Sequence, residues 1–189
     1  MKTNTQRIRT VKEAYQAIHE FFSCYHLHEA LQDLERLFTW ACKEKYYNKT
    51  APISILFHTQ QLQRLFSATE ILNHSTGKKI SAIACTPDNS SPSSEFKLCL
   101  FTGKNSTWET FPRHLSLSEF INPYQALENL HAIPQWEHVL QEITEAALSK
   151  GSVEGSYTVG EVMKWKERMM GIIEGGWLLE IRGRENRAA

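Results

Sequence analysis

The chain has 189 residues, 21 Lys+Arg against 21 Asp+Glu for a formal net charge of zero, 41% hydrophobic and 22% charged side chains. A single domain of this length buries about 70% of its unfolded surface and needs no staples, and the composition excludes collagen-like, mucin-like and fully disordered chains. A neutral chain also lacks the basic excess of a dedicated duplex-DNA binder.

The stretch from Met1 to Arg7 is positive but has no signal-peptide apolar run behind it. No run of 18 apolar residues occurs, so no bilayer span is expected. Cys24, Cys42, Cys85 and Cys99 show no CxxC spacing. Without an export signal they are expected to be reduced thiols in a cytoplasmic protein.

Thr10-Val11-Lys12-Glu13 is a capping box that opens a helix to about Phe22. Leu27, Ala30, Leu31, Leu34, Leu37, Phe38 and Ala41 follow at the spacing of one buried helical face. A third helix is expected from about Ile53 to Leu72, with Leu62, Leu65, Phe66, Thr69 and Leu72 inward. After Gly77 the period changes, and Ile80–Cys85, Phe96–Phe101 and Thr107–Phe111 suggest short strands. Ser116-Leu117-Ser118-Glu119 is a second capping box, with helices expected over Tyr124–His131 and from Pro134 to Lys150. Thr158-Val159-Gly160-Glu161 caps a last helix, which Gly175-Gly176 is expected to end. Trp177–Ile181 would then be a closing strand, followed by a polar tail.

An offset of 109 residues sets Tyr15-Gln16-Ala17-Ile18 on Tyr124-Gln125-Ala126-Leu127, and Leu31-Gln32-Asp33-Leu34 on Leu140-Gln141-Glu142-Ile143. At an offset of 107, Leu62 falls on Met169 and Leu65-Phe66 on Ile172-Ile173. The expectation is one domain over 1–189, mainly α (α+β). It comprises a pseudo-symmetric helical bundle of two related three-helix units, 10–73 and 116–176. A small antiparallel β-sheet is inserted at 78–111, and a short strand and polar tail occupy 177–189.

Chemistry-bearing patterns are few. Cys24, His26 and His28 are a Cys-x-His-x-His string whose ligand types suit zinc, provided the stretch is extended so that alternate residues converge. Lys164, Trp165, Lys166 and Arg168 interleave an aromatic with basic side chains, the pattern of a phosphate-holding, base-stacking surface. No Walker loop, GxGxxG, HExxH or GxSxG occurs, so no cofactor is expected and an enzyme is disfavoured. A non-catalytic protein-interaction or self-associating module is the leading expectation, with a protein partner or homo-oligomer and no membrane. Pairing through an uncovered strand edge is its specific form. Nucleic-acid association through the Trp165 helix and the basic termini is the alternative. An enzyme with its site at the junction of bundle and sheet is the third.

Overall fold

The computed structural model describes residues 7–48, 51–76, 101–103, 106–108 and 112–188, and side chains over 7–48, 51–75 and 112–182. In chain order these are α1 (Val11–Cys24), α2 (Leu27–Ala41), α3 (Pro52–Thr76), β1 (Phe101–Gly103), β2 (Ser106–Trp108), α4 (Leu117–Ile121), α5 (Pro123–Glu128), α6 (Trp136–Leu148) and α7 (Val159–Ala188). Two 3-10 turns, Asn129–Ala132 and Val153–Gly155, flank α6.

Local chemistry sets the helix starts. The Thr10 and Ser116 hydroxyls accept the amides of Glu13 and Glu119 at 3.2 and 3.3 Å, while those carboxylates accept the Thr10 and Ser116 amides. Thr158 and Glu161 repeat the arrangement at the start of α7. Each box satisfies two amides that a helix start otherwise leaves unpaired.

The two long helices, α3 and α7, pack on each other and carry the centre of the core. Leu62, Leu65 and Phe66 of α3 and Met169, Ile172 and Ile173 of α7 are all fully buried. Around them α1 lies on α3, and α5 lies on α7. The middle helices cross over: α2 packs on α6 and α7, and α6 also packs on α3. The bundle is therefore interlocked.

Two expectations of β structure are overturned. No inserted sheet is present among the described residues. Their only extended pairing is β1 with β2, antiparallel, with Phe101 opposite Trp108. Three residues a side is a hairpin ladder, too short to bury a face or form a layer. Ile80–Cys85 and most of Phe96–Phe101 lie outside the described residues. The closing strand at Trp177–Ile181 is also absent, because α7 runs straight through it.

Glycine's usual role as a helix stop fails at Gly175-Gly176 for a packing reason. A Cβ on Gly175 would stand 2.8 Å from the Ala126 Cβ and 3.1 Å from the Pro123 carbonyl oxygen. Gly175 marks the place where α5 presses on the α7 backbone, and burial of Trp177, Leu178 and Leu179 beyond it carries the helix on.

Candidate functional site

The first three turns of α3 combine exposed apolar side chains with an uncharged sequence. From Pro52 to Gln63 there is no Asp, Glu, Lys or Arg. Pro52 suits a first helical turn, since its missing amide would be unpaired there in any case. Ile53, Leu56 and Phe57, at i, i+3 and i+4, form one outward stripe that is 70%, 42% and 46% exposed. On the opposite side Ile55 and His58 turn inward. A helix apolar on both sides has one face more than its own bundle covers.

The inward side lines a narrow cavity of about 60 Å³ with Asp33, Leu37, Tyr47 and Ala147. His58 is 4% exposed, and neither Nδ1 nor Nε2 has a hydrogen-bond partner among the described residues. Its ring meets Tyr25 edge-on at 5.1 Å. Burial pushes the imidazole pKa down to about 4, against the pull of the Asp33 carboxylate. His58 is thus a neutral imidazole at physiological pH, able to give or take one hydrogen bond at each nitrogen. Asp33 is held at the rim by Arg36, 3.1 Å away.

A second buried ionisable group lies on α7. Glu174 is fully buried, and its two oxygens accept the Arg113 and His114 amides at 2.8 Å each. Burial pushes its pKa up to about 7 in spite of those two bonds. Its carboxyl anchors the segment leading into α4. In front of that segment Glu35, Arg113, His114, Ser116 and Lys166 line an open cleft of about 430 Å³. Glu35 and Lys166 are already paired across it at 2.9 Å.

The basic quartet does not assemble as a stacking platform. Trp165 is buried and meets the Tyr157 ring edge-on at 4.7 Å. Its spacing from Val162, Met169 and Ile172 is that of the buried stripe, so the sequence already held the signal that puts it inside. Lys166 is bonded to Glu35, and Arg168 donates to the Ala132 carbonyl. Lys164 is exposed. In this arrangement the indole has no face to offer a base.

Cys24, His26 and His28 span the α1–α2 turn. Cys24 is the exposed last residue of α1, and His26 precedes α2 with its amide on Glu29 at 3.0 Å. The His26 and His28 rings stack at 6.0 Å. Among the described residues no three His, Cys, Asp or Glu side chains converge as a metal site. His58 and Glu174 escaped the sequence reading because nothing in a single polar letter tells whether the fold will bury it.

No known protein family, curated protein or solved structure matches the chain. No helix of the described residues is long and apolar enough to cross a membrane.

Proposed function

We propose that the protein is a non-catalytic module that associates with a second copy of itself through the first three turns of α3. The observation that carries this is the exposed Ile53–Leu56–Phe57 stripe on a segment without a charged residue. Large apolar side chains grouped on one face lose solvent contact only when another surface covers them. Interface cores are depleted of charge, and a two-fold interface sets a patch against itself. An uncharged patch meets its own copy without like-charge repulsion, and the chain's zero net charge adds none over distance. The contact is between helices, not between strand edges.

Light scattering across a concentration series tests it. The wild type is expected to dimerise with rising concentration, and Leu56→Glu/Phe57→Glu to remain monomeric with unchanged helical circular dichroism. A wild type that stays monomeric into the high micromolar range overturns the proposal, as does a dimer indifferent to the double substitution.

A further inference from the structure

We propose that Glu174 is a proton-operated latch, which as a carboxylate holds residues 112–116 against α7 and on protonation loosens them. Glu174 is fully buried in the middle of α7. Its two oxygens accept the amides of consecutive residues, Arg113 and His114, at 2.8 Å each. One turn earlier on α7, Gly171 leaves room for the same segment: a Cβ there would stand 3.5 Å from the His114 carbonyl oxygen. The segment thus lies along the α7 backbone, with Pro112 buried at its near end.

This arrangement reads the charge of the carboxyl directly. A main-chain N–H can only donate, and a carboxylate accepts at both oxygens. Protonation turns one of those oxygens into a hydroxyl whose proton needs an acceptor, beside an amide that offers none. The bond on that side is given up or bent, and the other loses the charge that strengthened it. Protonation also removes the cost of burying a charge, so the bundle as a whole is steadied while this segment is freed. Burial brings the change to neutrality, with the carboxyl pushed up to about 7 against both amide bonds and the Arg113 charge. The carboxylate, and with it the closed latch, prevails above that pH and is lost below it.

The charged groups on the elements around α7 have their own engagements. Beside His114 stand Glu35 of α2 and Lys166 and Glu167 of α7, and burial lowers the His114 imidazole below its usual 6.5, so it titrates apart from the carboxyl. Glu35 and Lys166 pair with each other. Glu119 of α4 accepts from Ser116 and Asn129, His19 of α1 meets Glu180, and Arg64 of α3 donates to Glu20. Glu128, at the end of α5, is exposed, and His131 in the turn after it lies ring to ring with His74. Arg113, His114 and Ser116 form one wall of the cleft of about 430 Å³, and Glu35 and Lys166 form another. Loosening 112–116 moves the first wall and leaves the second, so the cleft widens as the pH falls through neutrality.

Nuclear magnetic resonance on the full chain tests the latch. The Arg113 and His114 amide signals and the Glu174 side-chain carboxyl carbon are expected to titrate together, with one midpoint at about 7. Protection of the two amides against hydrogen exchange, corrected for its intrinsic pH dependence, is expected to fall about tenfold on the acid side, the worth of one charge-assisted bond. Glu174→Gln, uncharged at every pH, is expected to fix both amide signals near their acid positions and to abolish the midpoint. His114→Gln is expected to leave it in place. In the wild type, a carboxyl or amides that stay flat through the neutral range overturn the proposal, as do midpoints that differ between them, and neither result depends on a variant folding. A midpoint that survives in folded Glu174→Gln, or disappears in folded His114→Gln, overturns it too, because another group then moves the segment.

Discussion

His58 and Glu174 are two buried side chains whose burial works against their charged forms, and they tilt stability in opposite directions with pH. The His58 imidazole is lowered from 6.5 to about 4, so its contribution is full above pH 6.5 and is lost as pH falls through 4. The Glu174 carboxyl is raised from 4.5 to about 7, so its contribution is full below pH 4.5 and is lost as pH rises through 7. Each displacement corresponds to about 3 kcal/mol at its extreme. Between pH 4.5 and 6.5 the two slopes largely cancel. Glu174→Gln is expected to uncover the His58 slope, with the urea midpoint rising from pH 4 to 6.5. His58→Phe is expected to uncover the opposite fall. Urea melts of the three chains across this range check it, and variant profiles parallel to the wild type would refute it. Neither residue was legible as a site, since each lies in a helical stretch whose pattern is shared by ordinary exposed side chains. Trp165 was legible: it stands three residues after Val162 and four before Met169.

At the scale of elements, the hydrophobic period and the capping residues placed most helices. The failures came where tertiary contact overrode local preference. Gly175-Gly176 reads as a stop because glycine weakens a helix by about 1 kcal/mol relative to alanine. In α7 the two positions differ in kind. At Gly175 an added methyl meets Ala126 at 2.8 Å, a distance that demands a shift of α5. At Gly176 the nearest atoms, on Leu65 and Phe22, stand at 3.5 and 3.6 Å, ordinary contact. Gly175→Ala is therefore expected to destabilise by about 1–3 kcal/mol through overpacking. Gly176→Ala is expected to be neutral or to stabilise by up to about 1 kcal/mol. For a chain of this size that separates their melting temperatures by several degrees, readable by calorimetry. Equal effects of the two substitutions would remove the explanation for why α7 continues. The expected sheet is not borne out either: among the described residues the β1–β2 ladder of three residues a side is all that pairs there, and a period-two apolar pattern by itself names no partner strand.

At the scale of the whole molecule, the middle helices decide how the chain holds together. The buried face of α2, with Leu27, Ala30, Leu34, Leu37, Phe38 and Ala41, is covered by α6 and α7, which come from the other end of the sequence. α6 in turn buries Val139, Leu140 and Ile143 while packing on α2 and α3. Neither half thus owns the cover for its own middle helix. A sequence shows the apolar stripe of α2 but not which helix meets it, and that pairing is the part of the fold that periodicity leaves open. A fragment of residues 7–76 keeps the α1–α3 contact but exposes the whole stripe of α2, and it is expected to melt without a cooperative transition. Mixed with a fragment of residues 112–188, it is expected to recover one cooperative melt, because the two pieces supply each other's missing surface. Circular dichroism melts of each fragment and of the mixture test this. Cooperative unfolding of 7–76 alone, as a monomer, would show that α2 finds cover within its own half and that the crossing of the middle helices is not what makes the bundle one unit.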